Sequence, residues 1–169
     1  MDIYLVRHGV AHERDSSRWP DDRRRPLTPE GVERFRGAAR ALGGFEGRIA
    51  QVFSSPLVRA WQTAELLEAE ALWPTASSMP ELAPESSAAQ SLDALVRRDG
   101  VGDLSAIAMV GHRPSLHELA SYMLCADPEG IEIQIKKGGV AVLRFDGPIE
   151  PGAARLRALL PPRMLPSLV

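Results

Sequence analysis

The sequence is short of cysteine, lysine and aromatic residues, and each shortage closes off a class of protein. Its one cysteine, Cys125, has no partner for a disulfide within the chain, so a disulfide-stapled framework is excluded. Lysine occurs only at Lys136 and Lys137, against eighteen arginines. With the high alanine content, that imbalance reads as genome composition rather than chemistry. Aromatic residues make up 5%, and none interleaves with the densest basic run, Arg23, Arg24 and Arg25. The net charge of −2 and the pI of about 6.1 also lack the basic excess of a nucleic-acid binder. That run follows Asp21 and Asp22, which partly cancel its field, so it reads mainly as a solvated loop, the alternative being that one of its arginines reaches a ligand. No stretch of eighteen apolar residues is present, so no membrane span is expected. The opening MDIYLVRHG enters an apolar run without a basic segment ahead of it, unlike a secretory leader. These features together point to the cytoplasm.

What remains is an ordinary globular composition, 44% hydrophobic and 25% charged over 169 residues. That length predicts a single domain, 1–169. Short apolar runs at 2–7, 49–54, 105–110 and 139–145 predict strands buried on both faces. Weaker strand candidates are 131–135, 75–79 and 153–159. Helical patterns lie between them. Thr28-Pro29-Glu30 is a capped helix start, Val32, Phe35, Ala39 and Leu42 share one face, and Gly43-Gly44 ends the run. Ser55-Pro56 predicts a second helix start, 87–98 a third helix, and Pro114 a fourth start. Alternating strands and helices imply an α/β fold, a three-layer α/β/α sandwich on a mostly parallel sheet. Residues 9–27 form a long polar connection, of a length that is often functional.

Three strand-to-helix junctions carry the chemistry. They read Leu5-Val6-Arg7-His8-Gly9, Ser54-Ser55-Pro56-Leu57-Val58-Arg59 and Val110-Gly111-His112-Arg113-Pro114. Each places His or Arg at or just past the carboxyl end of an apolar strand. Ligands in open α/β sheets bind in the crevice outside those ends. Arg7, His8, Arg59 and His112 are therefore expected to converge, with helix N-termini beside them. Two guanidinium groups and two imidazoles suit a tetrahedral dianion, for which phosphate is the natural candidate. Taken singly, Arg59 reads as a surface residue and His112 as a helix cap. The recurrence at three junctions favours a shared site.

The order RHG, then S-P-x-x-R-A-x-Q-T, then V-G-H resembles the histidine phosphatase, or phosphoglycerate mutase-like, superfamily, from Asp2 to about Leu160. Arg25-Pro26-Leu27-Thr28-Pro29-Glu30-Gly31 is similar to the R-P-L-T-x-x-G run of the small SixA-type phosphohistidine phosphatases. The resemblance implies a phosphoglycerate mutase-like fold and a metal-independent phosphatase without cofactors. His8 would be the nucleophile, forming a phosphohistidine enzyme intermediate, with its ring held by a backbone carbonyl near Gly9 or in the 9–27 loop. Arg7 and Arg59 would clamp the phosphoryl oxygens, and His112 would donate a further hydrogen bond, as imidazole or imidazolium. Glu81 is the first candidate for a general acid and Glu85 the second. Pro84 stands where many branches carry the acid, and Arg113 where asparagine is common. Arg113 either contacts substrate or points to solvent. The implied partners are a phosphorylated protein, such as a histidine phosphotransfer domain in signal transduction, or a small phosphorylated molecule, with inorganic phosphate as product. Neither nucleic acid nor membrane is implied. The alternative is a non-catalytic phosphate-binding or docking module of a signalling relay.

Overall fold

A computed structural model describes residues 1–45 and 48–165. Six strands form one sheet in the order β3-β2-β4-β1-β5-β6. They are β1 (Asp2–Arg7), β2 (Gln51–Ser54), β3 (Ser77–Ser78), β4 (Ala106–Gly111), β5 (Val140–Arg144) and β6 (Arg155–Leu160). β1, β2, β3 and β4 run parallel, and β5 runs antiparallel to both β1 and β6. Among the described residues there are four α-helices: α1 (Pro29–Gly43), α2 (Val58–Ala71), α3 (Ala88–Val96) and α4 (Ser115–Cys125).

The period-2 geometry of the strands divides the core in two. Ile3, Leu5, Ile107 and Met109 face one way and pack with Leu92 and Leu95 of α3 and Leu116, Leu119 and Met123 of α4. Tyr4, Val6, Ala108 and Val110 face the other way and pack with Phe35 and Leu42 of α1 and Ala60, Ala64 and Leu67 of α2. The result is the expected α/β/α layering. None of the described helices is long and apolar enough to cross a membrane.

Register sets up the site. Arg7 pairs with Gly111 across β1 and β4, and Ser54 with Val110 across β2 and β4. The residues that follow, His8, Ser55 and His112, therefore leave the sheet side by side. His8 N donates to Gly111 O at 3.0 Å and Ser55 N to Val110 O at 2.9 Å.

Two helix starts differ from the sequence expectation. Ser55 still bonds as sheet, and Leu57 is extended (φ −70°, ψ 134°), so α2 starts at Val58 and Pro56 precedes it. Pro114 is the residue before α4, which starts at Ser115. The third helix is Ala88–Val96, opened by a reciprocal cap between Ser87 and Gln90.

The weak strand at 131–135 is absent. Ile133 and Ile135 are buried while Glu132 and Gln134 are exposed, so the alternation is real. No ladder forms because the free edge of β1 is taken by β5. The Ile135 carbonyl is instead met by side chains, Arg7 Nη1 at 2.9 Å and His117 Nε2 at 3.2 Å.

Candidate active site

Arg7 and His8 are held by backbone before any side chain is considered. Gly138 N donates to both Arg7 O and His8 O at 3.0 Å, and Arg7 N donates to Gly139 O at 3.1 Å. Gly138 has φ +75°, where a side chain would be strained, and a Cβ on Gly139 would lie 3.0 Å from Leu160 O and Lys136 O. A second close approach fixes the start of the 9–27 loop. A Cβ on Gly31 would lie 2.1 Å from Val10 O, so the glycine of the R-P-L-T-P-E-G run lets α1 abut that loop. Val10 O in turn accepts from Thr28 N at 2.9 Å.

His8 and His112 come together as the junction pattern predicts. Their ring centroids are 5.0 Å apart and tilted by 51°, and both side chains are buried. His8 Nδ1 lies 2.7 Å from Gly9 O. A carbonyl only accepts, so Nδ1 carries the hydrogen and Nε2 keeps a free lone pair. Burial, opposed by the Gly9 bond and assisted by Arg59 and Arg7, pushes the His8 pKa down to about 3. A neutral ring with its lone pair on Nε2 is the form a nucleophile needs.

His112 is fixed from β2. Its Nε2 is 2.9 Å from Ser55 Oγ, and that hydroxyl oxygen already accepts from Leu57 N at 3.4 Å. Ser55 Oγ can donate to His112 Nε2 while accepting from Leu57 N, the arrangement that leaves the ring hydrogen on Nδ1. His112 Nδ1 is buried with no hydrogen-bond partner. Burial first, then the neighbouring His8 and Arg59, pushes the His112 pKa down to about 2. At neutral pH His112 is therefore a neutral imidazole rather than the imidazolium.

The two arginines come from different elements, Arg7 from β1 and Arg59 from α2. Arg7 spends Nη1 on Ile135 O and leaves a buried Nε without a partner. Arg59, on the first turn of α2, is 3% exposed and also has a buried, unpartnered Nε. Its Nη1 donates to Asp22 O at 2.9 Å, and its Nη2 lies 3.3 Å from Asp22 Oδ2. Burial lowers the Arg59 pKa to about 10. Thr63, one turn on, joins the helix to the loop: it donates to Arg59 O at 2.7 Å and accepts from Gly9 N at 3.0 Å.

Sequence reasoning missed Asp22 and Ser55. It also took Arg25 for part of a solvated loop. Arg23 and Arg24 are exposed, but Arg25 is buried. Arg25 donates from Nε to Asp22 Oδ1 at 2.8 Å and from Nη1 to His12 O at 2.6 Å. The carboxylate three residues earlier was the available signal, and a polar loop gave no reason to favour it.

Glu81 is half-buried in the short turn Pro80–Leu82. It lines a groove with Ser86, Gln90, Asp93 and Arg97, and its backbone carbonyl accepts from Ser91 Oγ at 2.6 Å. Glu85 is exposed. Arg113 is exposed on a small groove shared with His117, Glu118 and Glu132. Among the described residues no group of three or more His, Cys, Asp or Glu is placed to hold a metal ion.

A profile of the histidine phosphatase superfamily (branch 1) matches residues 3–83, which contain Arg7, His8 and Arg59. An uncharacterized protein of Picosynechococcus sp. is 35% identical over 158 residues, covering 94% of this chain and 90% of that one. The protein histidine phosphatase SixA, solved with tungstate, is 26% identical with a TM-score of 0.81, over 98% of this chain and 99% of the other. The chain belongs to the histidine phosphatase superfamily. Its sheet and helices match the phosphoglycerate mutase-like fold of SixA. That fold also matches a putative α-ribazole-5′-P phosphatase from Escherichia coli, at a TM-score of 0.73 and 20% identity, over 96% and 98% of the two chains. Membership of this superfamily, with phosphatases as structural neighbours, supports a phosphatase activity.

Proposed function

We propose that this chain is a phosphohistidine phosphatase that works through a phosphoryl group carried on His8. The observation that carries the reading is a set of buried nitrogens without partners on residues at or after the carboxyl ends of neighbouring strands. The Nε atoms of Arg7 and Arg59 and Nδ1 of His112 have no partner, and His8 Nε2 has a free lone pair because Nδ1 is tied to Gly9 O. Buried donors without partners are costly, and a bound oxyanion would satisfy all three.

The chemistry follows from that arrangement. His8 Nε2 attacks phosphorus in line, the new N–P bond forms, and the bond to the leaving group breaks. If the substrate is a phosphorylated imidazole whose other nitrogen already carries a proton taken from water, breaking the N–P bond releases neutral imidazole, so a strong acid from the protein is dispensable. Arg7, Arg59 and His112 hold the three non-bridging oxygens, each donor contributing about 3–4 kcal/mol toward the charge of the transition state. Water then attacks the phospho-His8, inorganic phosphate leaves, and Nε2 regains its lone pair. The likeness to SixA over 98% of this chain supports phosphohistidine as the substrate class.

The test is a trapping experiment. Brief reaction with radiolabelled phosphoramidate should leave an acid-labile, base-stable phosphate on His8. The same protein should turn over a phosphohistidine-bearing protein faster than alkyl phosphate esters. Steady turnover by His8→Ala, or ester hydrolysis as fast as phosphohistidine hydrolysis, would remove the reading.

A further inference from the structure

Asp22 is the acid at the rim, and the reaction above gives it no task. It lies in the short turn Asp22–Arg24 of the 9–27 loop, which is capped by Asp21. One carboxylate spans two buried arginines: Oδ1 meets Arg25 Nε at 2.8 Å, and Oδ2 lies 3.3 Å from Arg59 Nη2. Arg14 Nε approaches Oδ1 at 3.6 Å. The Asp22 carbonyl takes Arg59 Nη1 as well. Asp22 thus occupies donors of the same guanidinium whose Nε is left open, and Arg25 beside it holds its pKa below the usual carboxylate range.

We infer that Asp22 is a positioning residue that stands in for the phosphoryl group in the empty site and sets how tightly phosphate is held. The inference rests on the reading that the rim binds a phosphoryl dianion. Arg59 is buried, so without a counter-charge it would be costly to keep ionised between turnovers. The Asp22 carboxylate supplies that charge and aims the guanidinium. When a dianion arrives, a negative charge is already beside Arg59, and the two repel. Binding is weakened, and release of inorganic phosphate, the product, is speeded. The backbone carbonyl of Asp22 keeps Arg59 tethered throughout.

Direct binding separates this role from catalysis. Inorganic phosphate and tungstate would be titrated calorimetrically into wild type, Asp22→Asn, Asp22→Glu and Glu13→Gln, an exposed acid of the same loop. Asn keeps an acceptor but drops the charge, so phosphate should bind about tenfold tighter at low salt, with the gain shrinking as salt screens it. Glu keeps the charge and should stay within about twofold of wild type, as should Glu13→Gln. In turnover, Asp22→Asn should lower both KM and kcat, with product phosphate inhibiting more strongly. Equal or weaker phosphate binding by Asp22→Asn, or an equal gain in Asp22→Glu, overturns the inference and leaves the phosphoryl site standing. Absence of oxyanion binding in all four proteins overturns both.

Discussion

Arginine is used in opposite ways at the two ends of the sheet. At the amino end of β1, Asp2 gathers Arg144 and Arg157, with Arg144 donating from both Nε and Nη2. That cluster is partly open to water, and the Asp2 carboxylate raises the Arg144 pKa. At the carboxyl end, Arg59 is buried and its pKa is lowered to about 10 despite Asp22. Arg7 is lowered too, by burial and by Arg113. The difference is one of completion. At Asp2 the acid and bases answer one another. At the other end the buried Nε atoms of Arg7 and Arg59 and Nδ1 of His112 lack partners, as they would in the oxyanion site proposed above.

Substitutions that break this contrast should differ widely in effect. His8→Ala at the carboxyl end should cost at least about 10⁴-fold in kcat, read from phosphoramidate hydrolysis, because the proposed mechanism carries the phosphoryl group on His8. Arg59→Ala or His112→Ala should each cost about 10²- to 10³-fold in kcat/KM, as expected for a donor to the transition state. Ser55→Ala touches no substrate oxygen. It releases the proton placement on His112 and should lower kcat by about tenfold while KM changes little.

The contrast also has a signature in pH. His8 and His112 are held at about 3 and about 2, well below an ordinary histidine. A depressed base takes up its proton later in the folded state than in the unfolded one. Stability should therefore be unaffected by these groups above about pH 6.5 and should decline as pH falls below it, down toward about 3. Urea midpoints at pH 7 and 5 would show the slope, and His8→Asn combined with His112→Asn should flatten it. The smallest effect belongs to the amino end. Arg144→Gln should leave kcat/KM within about twofold of wild type, since Asp2 retains Arg157 and the pair is partly solvated.

The parts of the molecule written as continuous runs were legible in the sequence. Residues 2–7 and 105–110 predicted β1 and β4 closely, because a strand buried on both faces is apolar throughout. The placement of Arg7, His8 and His112 at the ends of β1 and β4 was legible because strand ends in such sheets share one rim, and Arg59 follows β2 on the first turn of α2. What escaped notice depends on partners distant in sequence. Asp22 meets Arg59 across 37 positions, and Ser55 meets His112 across 57. The 131–135 segment alternated like a strand, but β5 had taken the edge it needed. The start of α2 was misplaced because Ser55 continues the sheet, which a serine-proline pair does not announce.

The central claim is that the open donors of Arg7, Arg59 and His112 and the free Nε2 of His8 address a single oxyanion. A crystal structure with vanadate tests it most directly. The account predicts the metal in line with His8 Nε2, with oxygens within hydrogen-bond reach of Arg7, Arg59 and His112. Vanadate seated on Arg23 and Arg24 instead, with those four side chains unchanged, would contradict it.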